Sequence, residues 1–356
     1  MQCEVSPWSK CSSSLREAWS AIELLGPTPV SPFFTWEYFE SVAGVRDDVL
    51  VAVFRRAGEI VACLPLQRDQ RRRAIPVGGR LNDLHGPLGL ELGEDDVSKI
   101  LGLAALSRFD FHAAQKMAWN SAGAIWCEVP GYRAQLGEKP GEYVAHLTDT
   151  RYSVRQQKRK TRAMELKLGP IRMEWRTRDD AVLDTLLSWK SQQYQRTGNV
   201  DIFSLAWTRN LVHRLLHLNP EGMHGQMSAL YAGDELVAVH LALRYRNTLH
   251  CWFPAYSVQR AQMSPGTELF LRMAAQAPAE GVTVLDMASG TEPYKKKLTN
   301  ETYSVVRGSL DLIPWRCKLR SLSLAARQQA SSIPWIKNVQ RLVRQAMSGR
   351  DPIRHQ

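Results

Sequence analysis

Two stretches far apart in the chain follow one plan. Val51–Leu66 reads V-A-V-F-R-R-A-G-E-I-V-A-C-L-P-L and Ser228–Leu243 reads S-A-L-Y-A-G-D-E-L-V-A-V-H-L-A-L. Each is an apolar strand, a tight glycine-containing turn, a glutamate, an apolar pair, an alanine and a second strand. Glu59-Ile60-Val61-Ala62 thus corresponds to Glu235-Leu236-Val237-Ala238. Chance supplies paired hairpins in many α/β proteins; the alternative is a duplicated domain, each copy built around an antiparallel hairpin in a mixed sheet. The flanks favour duplication. A helix is expected over Thr35–Ala43 before the first hairpin. Two more, Asp179–Thr197 and Leu205–Leu218, are expected before the second, with an aromatic strand, Thr248–Ala255, after it. A length of 356 residues suits two domains. The polar stretch Gly137–Gly141 is the expected boundary, giving domains 1–140 and 141–314 and a tail 315–356.

The segment Ser264–Leu298 carries the densest local information. Ser264 is placed to cap a helix whose first residue is Pro265. Leu269, Phe270, Met273, Ala274 and Ala277 then repeat at helical spacing, and Gly281 ends the run. Val282–Met287 is a short buried strand with Asp286 near its end, and a polar turn through Gly290 leads to Tyr294 and Lys295-Lys296-Lys297. A helix N-terminus, a strand-end acid and a Tyr-Lys pair therefore converge on one sheet edge, where α/β folds place ligands.

Several classes are disfavoured. The six cysteines are scattered without a C-x-x-C pair, so a zinc ribbon or disulfide framework is not expected and a reducing, cytoplasmic setting fits. His213 and His217 stand four apart without the glutamate of a zincin helix, and no metal is expected. There is no G-x-S-x-G, no apolar run long enough to span a membrane, and no secretory signal. The formal net charge of +11 favours anionic partners: a phosphorylated small molecule, RNA, or an acidic membrane face.

The order of elements in the second half (helices, hairpin, strand, helix, strand, helix and a last strand Tyr303–Ile313) resembles that of GNAT acyltransferases. More narrowly, the chain resembles the CelD/BcsL-like, or BioF2-like, acetyltransferases, relatives of the Fem aminoacyl transferases with tandem GNAT-like domains. The resemblance covers about residues 30–315. It is carried by Ser31-Pro32-Phe33, Leu64-Pro65-Leu66, the basic helix closed by Gly169, Thr197-Gly198 with Asp201–Phe203, Ser264-Pro265-Gly266, and Leu285-Asp286 through Gly290, Glu292, Tyr294 and Lys295. It implies an α/β (α+β) fold of two GNAT-like domains, each a mixed, largely antiparallel sheet flanked by helices. The first half has no match to the S-P-G helix or the acid and Tyr-Lys set, and is expected to be non-catalytic, shaping the acceptor site.

The resemblance further implies acetyl-coenzyme A, or another acyl-coenzyme A, as donor. The usual R/Q-x-x-G-x-G/A phosphate loop is reduced here to Gly266, within Gln259–Gly266. Gly266 and the amides that follow, with Ser264 and Thr267 at the helix start and Arg260 supplying charge, are the candidate cofactor-binding residues. Pantetheine would pair with the strand Leu249–Ala255 as an added strand. Tyr294 stands where such enzymes place a hydroxyl donor to the leaving sulfur, and Lys295 is the leading candidate for binding substrate.

Asp286 is a general base, an orienter of the acceptor, or a cap for the turn to Gly290. His240, on a strand leading to the sheet centre, is a base near neutral pH or a satisfied core histidine. Glu292 binds substrate or pairs with a lysine three or four residues on. Asp83, in the turn Asn82–Pro87, lines a cleft between domains or holds its own backbone. Arg155 belongs to the acid-free run Arg151–Arg162, a solvated face or a clamp for phosphates, sugar nucleotide or RNA. Arg71-Arg72-Arg73 is expected at a hairpin tip. The tail carries an amphipathic basic helix that packs on the protein or touches an anionic membrane or a synthase.

By resemblance, the activity is N- or O-acetylation of a sugar-derived acceptor, such as a sugar nucleotide or lipid-linked sugar, in exopolysaccharide or cellulose production. The setting would be the cytoplasm, peripheral to the inner membrane. The rivals are a Fem-like transferase using aminoacyl-tRNA and a non-catalytic GNAT module regulating a polysaccharide synthase.

Overall fold

The structure, a computed structural model, describes residues 1–25, 30–69, 71–115 and 125–313. The tail from 314 onward, including the expected basic helix, lies outside the described residues. The chain forms two compact units that exchange segments. One comprises Met1–Pro130, Gln195–Leu211 and the chain from Ser304; the other comprises Gly131–Tyr194 and Val212–Tyr303.

In the first unit, β1 (Gln2–Pro7), β2 (Val49–Arg56), β3 (Glu59–Arg68) and β4 (Arg73–Ile75) pair antiparallel in that order. A two-residue strand, β5 (Leu88–Gly89), pairs antiparallel with β3. Next comes β6 (Arg108–Gln115), parallel to β4, and then β13 (Glu301–Asp311), antiparallel to β6. The β2–β3 hairpin closes through Ala57 and Gly58, both at positive φ (51° and 88°). Two such residues give a turn whose twist matches that of the flanking strands. Helices α1 (Ser13–Glu23), α2 (Trp36–Ala43) and α3 (Glu94–Leu103) accompany this sheet. Trp8, Trp19, Trp36 and Phe39 stack with centroids 4.7 to 5.8 Å apart. Arg73 does not sit on a hairpin tip. It is buried, paired with Asp69 and lying 3.5 Å from Asp110, because a guanidinium beneath two carboxylates is cheaper to bury than to leave unpaired.

The second unit orders its strands β7 (Ile125–Gln135), β12 (Val284–Ser289), β11 (Thr248–Tyr256), β10 (Glu235–Tyr245), β9 (His224–Ala232) and β8 (Ile171–Thr177). Only β11 and β12 run parallel; the other neighbours are antiparallel. The helices α4 (Glu142–Thr150), α5 (Tyr152–Leu168), α6 (Asp180–Thr197), α7 (Ala206–Leu216), α8 (Pro265–Gln276) and α9 (Pro293–Leu298) complete the fold.

Helix α8 buries Leu269, Phe270, Met273 and Ala274 in a core shared with Leu230, Val237, Leu249 and Leu285. Each large side chain there contributes roughly 1.5–3 kcal/mol. The second hairpin turns at Gly233, whose φ is 57°. A Cβ at that position would collide with the Leu168 carbonyl, so the basic helix α5 and this turn require glycine where they meet. The expected strand over Val282–Met287 starts two residues later, because Val282 N–H still closes the preceding turn on Ala277 O.

Candidate active site

Strands β11 and β12 pair only over Thr248–His250 and Val284–Asp286. Beyond these residues no further β11–β12 pair forms, although β11 continues to Tyr256 and β12 to Ser289. Two irregularities separate them. Leu241 faces Phe253 and Ala242 faces Cys251, so Trp252 is an extra residue bulged from β11. On β12 the register breaks between Asp286 and Ser289, where Ala288 takes φ 57°. From Cys251 onward the β11 edge has no strand partner on the β12 side among the described residues, which leaves a gap in the pairing there.

Asp286 lies at the mouth of this gap and is 3% exposed. Arg133 Nε donates to Oδ2 at 2.9 Å, while Tyr303 OH and the Ala288 N–H each donate to Oδ1 at 2.9 Å. The Arg133 guanidinium also stacks 4.1 Å over the Tyr303 ring. Burial works against the Arg133 charge, but the Asp286 carboxylate outweighs it and holds the pKa above its usual value. His250 Nδ1 is 3.9 Å from Oδ1. The acid thus caps the turn that re-aims β12 and ties the half-buried Arg133 and Tyr303 to it.

Lys295, 6% exposed, donates from Nζ to Ser289 O at 2.9 Å and pairs with Glu292 at 3.3 Å. A Cβ on Gly290 would collide with the Glu292 carboxylate, so that glycine lets the pair close over the turn. Tyr294, on the same short helix, is 42% exposed. Partial burial, then the charge of Glu292, raise its phenol pKa, which keeps the hydroxyl protonated and able to donate. Burial also raises the Cys251 thiol, followed by the field of Asp286, so it is not a thiolate nucleophile.

His240 is 4% exposed, and its Nε2 has no hydrogen-bond partner among the described residues. Burial, then His250 and Lys190, push its pKa down to about 3. The expectation of a base titrating near neutrality is corrected on this point: a desolvated imidazole in this setting stays neutral and can only accept or donate a hydrogen bond. Lys190 on α6 is lowered to about 8 by burial and only partly restored by Glu292. It donates to Gln193 Oε1 at 3.0 Å.

The candidate cofactor residues gather at the start of α8. Ser264 is left-handed (φ 51°) and its side chain makes no cap; its hydroxyl bonds Lys160 Nζ of α5 at 2.8 Å. The cap expected from sequence is replaced by the Ser264 carbonyl, which accepts from the amides of Thr267 and Glu268. Pro265 has no N–H, so Gly266 carries the earliest helical amide of this first turn. Arg260 is held by Glu235 through two bonds, 2.8 and 2.7 Å. Arg155 caps the end of α4 through Asp149 O at 2.6 Å. Asp83 belongs to the first unit, in the turn where Asn82 bonds Val77 O and the Leu84 amide. Helix α5 lies along α8 through Gln157 to Met263 O (3.2 Å) and Thr161 to Glu268 (2.5 Å). A cleft of about 540 Å³ between them is lined by Lys158, Arg162 and Arg272 among others.

Arg133, Lys190, His250 and Tyr303 were not singled out from sequence. Alternation of Tyr132 and Ala134 with Arg133 and Gln135 was the available signal for β7, and His250 lies inside the strand expected over Thr248–Ala255.

Residues 148–296 match the family model described as acetyltransferase (GNAT) domain. No curated protein matches the chain in sequence. Among solved structures, FemX is similar at 10% identity and TM-score 0.53, covering 88% of this chain and 97% of that one. The C-terminal domain of a protein assigned as a lysylphosphatidylglycerol synthetase from Agrobacterium fabrum is similar at 11% identity and TM-score 0.52, covering 87% and 95%. A tandem GNAT protein from the clavulanic acid biosynthesis pathway follows at 10% and 0.50, covering 88% and 99%. The mixed, largely antiparallel sheets flanked by helices are therefore GNAT-like, and the chain carries an acyltransferase domain of the GNAT type.

Proposed function

We propose that the protein transfers an acyl group from acyl-coenzyme A to an amine or hydroxyl of a sugar-derived acceptor, as CelD/BcsL-like enzymes of polysaccharide production do. The carrying observation is the parting of β11 from β12 after His250 and Asp286. An extended pantetheine arm would add to the free β11 edge, with its thioester near the bulge at Trp252. The acceptor's lone pair attacks the acyl carbon and the C–S bond breaks; the Tyr294 hydroxyl gives its proton to the departing sulfur, and the proton released by the acceptor nitrogen or oxygen returns through solvent to the Tyr294 phenolate. Lys295 and Glu292 would bind the acceptor; Asp286, fixed by Arg133 and Tyr303, would orient it.

A second reading, aminoacyl transfer from tRNA as in the Fem relatives, draws support from the start of α8. The Thr267 amide, one of those a phosphate would use, is already bonded to Ser264 O, which weakens a pyrophosphate seat, while α5 presents a run of basic side chains beside it. The similarity to FemX and to a lysylphosphatidylglycerol synthetase points the same way. Calorimetric titration of the full chain with acetyl-coenzyme A and with charged tRNA separates the two. Saturable coenzyme A binding, with turnover lost in Tyr294→Phe, is expected. Tight tRNA binding without a coenzyme A response would reverse the order of the readings, and indifference to both would refute the enzymatic one.

A further inference from the structure

Asp180 opens α6, and His213 and His217 lie four residues apart at the end of α7, where that spacing puts them on one face. All three belong to the second unit. His217 Nε2 is 3.2 Å from Asp180 Oδ1, and His213 Nδ1 is 3.4 Å from the same oxygen. One ligand atom from each residue lies within 4.8 Å of the other two.

Helix-end electrostatics explain part of this: an acid favours a helix N-terminus and an imidazolium a C-terminus. Hydrogen bonding to the Asp180 carboxylate accounts for the His217 contact; the second ring brought to the same oxygen, by His213, is what makes the cluster a candidate ligand set. A tetrahedral zinc ion with bonds of about 2.0–2.1 Å separates its ligand atoms by about 3.3 Å. The two measured nitrogen-to-oxygen spacings fall on either side of that edge length. Asp184, one turn beyond Asp180, lies 3.9 Å from the far nitrogen of His213, Nε2. That carboxylate adds negative charge behind the cluster, on the side away from Asp180.

We propose that Asp180, His213 and His217 form a binding site for a divalent ion of the zinc class, a reading independent of the acyltransferase assignment. Two imidazole nitrogens and one carboxylate oxygen suit zinc, cobalt, nickel or copper over magnesium or calcium. The side chains are partly exposed, so water from solvent completes the coordination. The ion would clip the first turn of α6 to the end of α7. Its role would be structural, tying α6 to α7.

The test uses the full-length protein, stripped with chelator and titrated with Zn²⁺ alone by calorimetry, with Co²⁺ absorption as a report on the ligand set. One ion per chain is expected, with the melting temperature rising with Zn²⁺. His213→Gln and His217→Gln should each weaken binding on the order of tenfold or more, and Asp180→Asn should do likewise. All three positions are partly exposed, so the variants are expected to fold, which circular dichroism checks. Absence of saturable binding would overturn the proposal. So would an affinity unchanged in both histidine variants, which would assign the ion to other ligands such as the cysteines.

Discussion

Replacing Arg133 by methionine removes the guanidinium from Asp286 while keeping most of the side chain's volume. Breaking a buried ion pair by deleting one partner costs about 3–5 kcal/mol when the remaining charge is stranded. Here the Arg133 side chain is 20% exposed, and Asp286 keeps the Tyr303 hydroxyl and the Ala288 amide. Those two bonds retain part of the stabilisation, while the stacking over Tyr303, about 0.5–1 kcal/mol, is lost with the charge. The expected net loss is therefore about 2–4 kcal/mol. Because the protein has two units, a global unfolding curve mixes events, and native-state hydrogen exchange of the β11 and β12 amides is the better readout. Arg133→Met should lower their opening free energy by that amount. The cycle with Asp286→Asn should show a coupling above about 1 kcal/mol. A coupling below about 0.5 kcal/mol, or protection unchanged in Arg133→Met, would mean that this pair does not hold the re-aimed end of β12.

Gly131→Ala places a Cβ inside the Tyr303 ring and should destabilise by about 1–3 kcal/mol, read as a lower melting temperature. Lys295→Met leaves Ser289 O without its donor and should cost about 1–3 kcal/mol, with transferase activity lost as well; full activity in a folded variant would remove Lys295 from the acceptor site. His240 binds its proton in the fold only near pH 3, against 6.5 when free, so the unfolded chain holds more protons between those values. Stability should accordingly fall as pH drops from about 6.5 towards 3, and His240→Asn should flatten that slope in melting temperature against pH. Lys190 gives the opposite limb: its folded pKa near 8 lies below 10.5, so stability should rise with pH across that window, and Lys190→Met should abolish the rise.

The elements that repeat a local pattern were legible from sequence. Both hairpins, the helix over Pro265–Gln276 and the strand around Asp286 follow from turn residues and apolar period alone. What surrounds Asp286 was not legible for a definite reason. Arg133 reaches it from 153 residues away, and nothing in either segment's periodicity names the other. The depression of His240 likewise depends first on its burial in the assembled sheet, then on His250 and Lys190, which arrive from a neighbouring strand and a helix. Ser264 shows how local rules yield to packing: a residue suited to capping was taken into a left-handed turn, and Lys160 claimed its hydroxyl. Arg73 shows the reverse error, since a triple arginine reads as solvated until Asp69 and Asp110 are seen beneath it.

An unpaired strand edge ordinarily invites another protein's sheet to join it, and natural folds blunt such edges with charge, proline or short strands. The free edge of β11 is protected differently. It lies in the interior of its unit's sheet, with β10 bonded along its other side and the departing β12 walling the gap. A foreign sheet brings neighbouring strands with it and cannot enter; a single slender chain bearing its own amides can. On the proposed reading, the bulge at Trp252 and the left-handed Ala288 would serve as a size filter as well as a bend, admitting a single extended chain while withholding the edge from aggregation.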